Sequence, residues 1–354
     1  MYCSIQKRLL LISIVSAGFA SLFCSCSLIF KPLYQPGYIQ QGINTPPAQK
    51  GTDNDKWKVE SNIELYHFSE GSGREVLVIH GGPGIPFSNT WKGLSLLRDS
   101  LEANYYHQRG CGKSSIPVDS FSSKNFYKNM KELDGLLGLG AQITDIERIR
   151  IITKQNRLTL IGHSYGGFLA ALYAVEFPER VEALVLVAPA GILKMPSEQD
   201  DLFTITRERL PENRKPGFDD WKERYFAYGK LFTRTEQELA ELNSEFGTYF
   251  LEVLDVENSS EMSSVKSAGW MVHAQYLSMG KKHDYRGELK NISASTLVLH
   301  GENDILPAEV SREYAELIPN ARLTIIKNAT HFPFDENPED FSAEIISFLS
   351  GLND

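Results

Sequence analysis

Apolar positions along most of the chain fall into two alternating kinds of run. Val76, Leu77, Val78 and Ile79 make a continuous apolar stretch within Glu75–His80, and Arg157–Gly162 and Val181–Val187 carry runs of the same buried-strand kind. Between them, Ala141–Thr153 sets Ile143, Ile146, Ile149 and Ile152 at helical spacing with charges between, which predicts an amphipathic helix. Phe168–Phe177 predicts a second helix, stopped by Pro178. Trp57–Glu60 and Ile63–Phe68 predict a hairpin upstream, and Asn104–His107 is a weaker strand. Strands alternating with helices imply a mostly parallel sheet with helices on both faces.

The pattern changes after Gly191. As far as Leu289 there is no buried-strand run, only helical segments rich in Glu, Arg, Tyr and Phe. Thr296–His300 and Arg322–Lys327 then resume the sheet, and Phe341–Leu349 predicts a closing helix. Residues 57–190 and 290–354 therefore read as one α/β domain, and 191–289 as a helical cap inserted after the sixth strand. Such an insert is expected over the C-terminal edge of the strands, where open α/β sheets bind ligands.

The N-terminus has a different character. Lys7 and Arg8 precede the apolar run Leu9–Phe23, which is shorter than the roughly 20 residues that span a bilayer and matches the core of a secretory signal. Residues 1–26 are expected to be a signal segment and the protein to be exported, to the periplasm or a membrane surface. Cys26 after Ser25 is a candidate lipidation site, and an uncleaved anchor reaching Phe30 is the alternative. Residues 27–56, rich in Pro, Gly, Gln and Asn, are expected to be a linker.

With 354 residues, 42% of them hydrophobic and 23% charged, the chain can bury a large core. Its formal charge of −9, with no basic cluster, argues against a nucleic-acid partner. Three of the four cysteines (Cys3, Cys24, Cys26) lie at the N-terminus, so Cys111 has no partner for a disulfide within the globular part.

The chemistry is carried by three loops that follow predicted strands. Gly162-His163-Ser164-Tyr165-Gly166 has the form Gly-x-Ser-x-Gly, with an apolar strand running in and a small-residue helix running out. A turn that sharp leaves no room for flanking side chains and lifts the serine hydroxyl above the sheet. A serine hydroxyl is a poor nucleophile at neutral pH and needs a base that is itself held by an acid. His331, after Arg322–Lys327, is the expected base. Asp304, after Thr296–His300, is the expected acid, with Glu302 in the same loop as the alternative. The order Ser, Asp, His is that of the strand–turn–helix nucleophile elbow. Two backbone N–H groups must stabilise the oxyanion, and those of Tyr165 and Gly82 are the candidates. Losing one such donor costs about 2.7–4 kcal/mol of transition-state stabilisation. Gln108–Ser114 is similar to a phosphate-binding loop, but that pattern needs Gly at 107, where His107 stands.

Together these segments make the chain, from about Ile63 to its end, resemble the prolyl aminopeptidase (proline iminopeptidase) branch of the α/β-hydrolases. His80-Gly81-Gly82-Pro83-Gly84 and Gln108-Arg109-Gly110-Cys111-Gly112-Lys113-Ser114 match that branch's HGGPG and DQRGCGxS loops. The resemblance implies the α/β-hydrolase fold. It also implies release of an N-terminal residue, often proline, from short peptides through an acyl-enzyme, with no metal or cofactor. Three departures stand out. His107 replaces the branch's Asp, the elbow reads GHSYGG rather than GGSWGS, and the cap glutamates that hold the substrate amine are missing. Glu223, Glu236 and Glu261 are candidates to replace them, or else solvated helix surface. The expected ligand is a short peptide or small molecule. A carboxylic ester hydrolase on the same triad is the alternative activity, and a non-catalytic binding protein on the same scaffold the alternative class.

Overall fold

The computed structural model describes residues 32–37, 39, 43–49, 53–197, 201–254 and 267–353. Its ten strands are β1 (Lys56–Glu60), β2 (Ile63–Gly71), β3 (Arg74–Ile79), β4 (Leu101–Tyr106), β5 (Leu158–His163), β6 (Val181–Val187), β7 (Lys194–Met195), β8 (His283–Asp284), β9 (Ser295–Gly301) and β10 (Ala321–Ile326). Eight of them form one sheet in the order β1-β2-β4-β3-β5-β6-β9-β10. Only the β1–β2 and β2–β4 pairings are antiparallel, and the rest of the sheet is parallel. Alternation along β3 shows why both faces are covered. Leu77 and Ile79 enter one core cluster, Val76 and Val78 the other. The mostly parallel α/β sheet expected from sequence is the one observed.

The helices are α1 (Lys92–Ser95), α2 (Phe126–Leu137), α3 (Leu139–Ile152), α4 (Tyr165–Glu176), α5 (Leu202–Arg209), α6 (Lys215–Tyr225), α7 (Glu236–Leu254), α8 (Trp270–Met279), α9 (Ala308–Leu317), α10 (Pro333–Glu336) and α11 (Pro338–Ser350). All twelve residues of α4 are buried, as its run of small and apolar residues requires. The polar side of α3 is not solvated as its amphipathic pattern suggests. Asp145, Glu147 and Arg148 are buried, because Asp145 and Glu60 together neutralise Arg109 and Arg148 while Glu147 pairs with Arg150 and accepts from the Tyr173 hydroxyl.

Between β6 and β9 lie α5 to α8. The segment is not purely helical, since β7 pairs antiparallel with β8 at its base. Helices α6 and α7 share a separate apolar cluster of Leu210, Phe218, Trp221, Tyr225, Leu242 and Tyr249. Helix α8 behaves differently, with Trp270, Met271, Val272, Ala274, Leu277 and Met279 embedded in the main core.

The stretch read as a linker is partly docked. Tyr34 is buried, its hydroxyl donates to Glu176 at the end of α4, and the Leu33 and Tyr34 amides donate to the Ser278 carbonyl near the end of α8. Gln49 pairs through both amide atoms with the backbone of Lys58, covering the β1 edge. No helix among the described residues is long and apolar enough to cross a membrane. The apolar run Leu9–Phe23 and Cys26 lie outside those residues.

Candidate active site

Strand order reverses between β4-β3 and β5-β6, so a crevice opens at the C-terminal ends of β3 and β5. Four loops converge there: those after β3 and β5, and those after β9 and β10. The β5 loop is the elbow. Ser164 has φ 52° and ψ −119°, outside the regions an L-residue ordinarily adopts. Its amide donates to the Val187 carbonyl, and its own carbonyl accepts from Gly167 and Ala190, so the turn is held by β6 and the first turn of α4. The glycines have a steric cause. A Cβ on Gly162 would run into the Gly166 carbonyl, and one on Gly166 into the carbonyls of Ile79 and His80.

Asp304 and His331 meet as expected. The His331 Nδ1 lies 2.9 and 3.1 Å from the two Asp304 carboxylate oxygens, and both side chains are buried. Burial alone would raise the Asp304 pKa, but the neighbouring His331, the hydrogen bond to it and the Leu306 amide bring it below the usual carboxylate range. Asp304 is therefore held ionised. It accepts from Nδ1–H of His331, which leaves the other ring nitrogen, Nε2, free of that carboxylate. Ser164 and His331 line one cleft. Glu302, the alternative acid, is exposed and accepts from the Asn328 amide instead. Nearby His300 is engaged by Ser311 and the Leu306 carbonyl, and burial holds it neutral. Gly301 matters for closure, because a Cβ there would strike the Thr330 carbonyl just before His331. Glu336 fixes Thr330 through both its amide and its hydroxyl.

The oxyanion candidates flank the serine. Tyr165 is the first residue of α4, where N–H groups have no intrahelical acceptor. Its ring is buried beneath, with the hydroxyl donating to Gln275. Gly82 lines the cleft at φ +113°, and a Cβ there would sit 2.7 and 2.8 Å from the Gly84 and Ile85 amides. His80 shapes this loop, since its ring bonds the Gly81 carbonyl and accepts from the Gln108 amide, while the Gln108 side chain donates to the His80 carbonyl. The HGGPG and QRGCG segments are thus one hydrogen-bonded unit. His107, in the place of the branch's Asp, bridges the Phe87 carbonyl and the Lys113 amide as a neutral ring, with burial pushing its pKa down to about 4.

One residue had no predicted role. The ring of His163 bonds the His331 carbonyl at 2.8 Å and packs 4.8 Å from the His331 ring, inside a wall of Trp91, Phe332 and Phe334. Burial, and after it the neighbouring His331, push its pKa down to about 3. The residue before Ser164 therefore braces the loop that carries His331.

The cleft encloses about 940 Å³, open solvent included, and its cap side is aromatic: Phe203, Tyr225, Phe246, Phe250 and Tyr276. Among the described lining residues none is acidic. Glu223 faces solvent. Glu236 is occupied at the start of α8, where its carboxylate accepts from the Gly269 and Trp270 amides. Glu261 lies outside the described residues.

A profile of the alpha/beta hydrolase fold matches residues 75–338. A proline iminopeptidase of Heyndrickxia coagulans is 26% identical over 303 residues, covering 82% of this chain and 96% of that protein. Among solved structures, an esterase of Thermogutta terrifontis with malate bound superposes with a TM-score of 0.56 at 23% identity, covering 87% of this chain and 97% of that one. A proline iminopeptidase of Mycobacterium smegmatis also gives 0.56, at 17% identity, covering 82% and 96%.

Proposed function

The chain belongs to the alpha/beta hydrolase fold family, and on that premise we propose that it is a serine hydrolase working through an acyl-enzyme. Ser164 attacks the carbonyl carbon as Nε2 of His331 takes its proton. The Tyr165 and Gly82 N–H groups receive the oxyanion, and His331 then protonates the leaving group. Water, activated by the same histidine, releases the acyl group. The observation that carries this reading is the buried Asp304–His331 pair opening on the cleft that Ser164 enters at the strained elbow.

Two substrate classes follow from different observations. The HGGPG and QRGCG loops, and the relatives named proline iminopeptidase, favour removal of N-terminal residues from small peptides. The cleft favours small esters and amides without a free amine, because no described lining residue supplies the anion that an α-ammonium group requires. Turnover of proline 4-nitroanilide against 4-nitrophenyl butyrate separates them. Ester cleavage with no anilide cleavage ends the peptidase reading, and the reverse ends the esterase one. Labelling by a fluorophosphonate that disappears in Ser164→Ala supports the nucleophile, and no labelling of the native protein refutes it. Export through the N-terminal segment, with attachment at Cys26, is a further part of the proposal. The mass and first residue of the mature protein test it, and an intact Met1 overturns it.

A further inference from the structure

One face of α7 forms part of the cleft wall. Asn243, Phe246, Gly247 and Phe250 all line it, and their spacing of three, four and seven positions sets them in a single stripe along the helix. Leu242 and Tyr249 belong instead to the cluster shared with α6, while Glu241, Ser244 and Thr248 are exposed. The helix is held in this attitude from two sides. Trp221 of α6 donates through Nε1 to the Leu242 carbonyl at 2.8 Å, and the Asn243 side-chain amide donates to the Ala268 carbonyl. The Ala268 amide in turn donates to the Gly84 carbonyl, so the stripe is tied to the HGGPG loop.

Gly247 is the anomaly in that stripe. It lies in the middle of a regular helix, where no turn or left-handed backbone calls for a glycine. Glycine weakens a helix interior more than any residue except proline, so its presence here needs a reason in side-chain space. The stripe supplies one. A Cβ at 247 would project with those of Asn243 and Phe250, on the side that meets the cleft. The surroundings are rings. Phe250 stands edge-on to His331 at 5.7 Å, Phe246 stacks on Phe250 at 6.0 Å, and Phe203 of α5 meets Phe246 at 5.0 Å. None of the described lining residues is Asp, Glu, Lys or Arg, so a charged group would be buried there without a counter-charge.

We propose that Gly247 is a specificity-determining residue, and that the space left by its missing side chain beside Phe246 and Phe250 receives a bulky, uncharged apolar group of the substrate, aryl or arylalkyl. The assignment rests on the serine-hydrolase reading and narrows its substrate class. The ring wall begins at His331, which meets both the acyl half and the leaving half of a substrate, so each half has its own pair of esters in the test.

Comparing 4-nitrophenyl 3-phenylpropanoate with 4-nitrophenyl acetate varies the acyl half, and 2-naphthyl acetate with phenyl acetate the leaving half. In the native protein the larger ester is expected to exceed the smaller in kcat/KM by about ten-fold or more in at least one pair, the scale of a few buried methylenes. In Gly247→Leu that ratio falls to about one, and in Gly247→Ala it falls part of the way. Helix propensity rises in both variants, so a loss that grows with the size of the new side chain is steric. Thr248→Leu, on the exposed side of α7, leaves the ratio as it is. A native ratio near one in both pairs, an unchanged ratio in Gly247→Leu, or an equal fall in Thr248→Leu overturns the proposal. Calorimetry with 3-phenylpropanamide decides without turnover. Binding that is lost in Gly247→Leu supports the pocket, and no binding, or equal binding by that variant, refutes it. Failure of the hydrolase reading is separately visible as absence of both ester cleavage and fluorophosphonate labelling.

Discussion

Asp304 governs which nitrogen of His331 carries the proton, and this makes its replacement informative. Asp304→Asn keeps the shape but presents an amide that can hydrogen-bond either tautomer, so kcat is expected to fall by about four orders of magnitude. Ser164→Ala and His331→Ala are each expected to abolish acyl transfer, with the double variant little worse than either, because the groups act as a unit. His163 calls for a different signature. Its imidazole bonds the backbone of residue 331 in the wall of the cleft, so His163→Ala should lower kcat by about ten- to a hundred-fold through misplacement of His331, with KM changed much less. His163→Gln retains a donor for the same carbonyl and should recover much of the loss. Equal damage to kcat by both variants, or a change confined to KM, would remove the bracing role.

At the scale of elements, the elbow shows how sequence pattern and sterics agree. Gly166→Ala places a methyl group against the carbonyls that end β3, forcing α4 away from the sheet, and is expected to cost about 1–3 kcal/mol of stability, read as a lower urea midpoint. The buried strands were legible because both faces of a parallel sheet are covered, which leaves continuous apolar runs such as Val76–Ile79. The polar side of α3 misled for the opposite reason. Its charges are neutralised by Glu60 and Arg109 from remote segments, and spacing along one helix carries no trace of them. Helices α2 and α9 escaped notice although Met130, Leu133 and Leu137, and then Val310 and Tyr314, hold helical spacing. The meeting of Asp304 with His331 beside the cleft that Ser164 lines was readable because each lies in a loop just past a strand's end. That of His163 was not, since its partner is a main-chain oxygen 168 positions away. The docked strap at Tyr34 was hidden likewise, as Pro and Gly composition reports stiffness and turns but not a distant Glu176.

Across the whole molecule the buried histidines link stability to pH. Burial, the largest cause in each, pushes His67 and His107 down to about 4 and His80, His163 and His273 down to about 3. In the unfolded chain these rings take up protons near pH 6.5, whereas the folded protein refuses them until pH 4 to 3. The unfolded state therefore binds more protons in that window, and stability, complete above about pH 6.5, declines as pH falls through it. The urea midpoint is expected to drop between pH 7.5 and 5.5, before most carboxylates titrate, and to drop less in His273→Phe. A midpoint independent of pH over that range would mean the rings are charged or solvated in the fold.

The strap formed by Leu33 and Tyr34 also has a directional meaning. Helix α4 starts under the nucleophile and runs back along the sheet for about 18 Å before reaching Glu176. Helix α8 likewise starts beside Gly84, where Ala268 donates to that residue's carbonyl, and ends by Ser278. The strap grips the far ends of both. Under the proposed export and attachment, a pull on Leu33 would enter at the ends of both helices that lie away from Ser164 and Gly84, and not at the cleft.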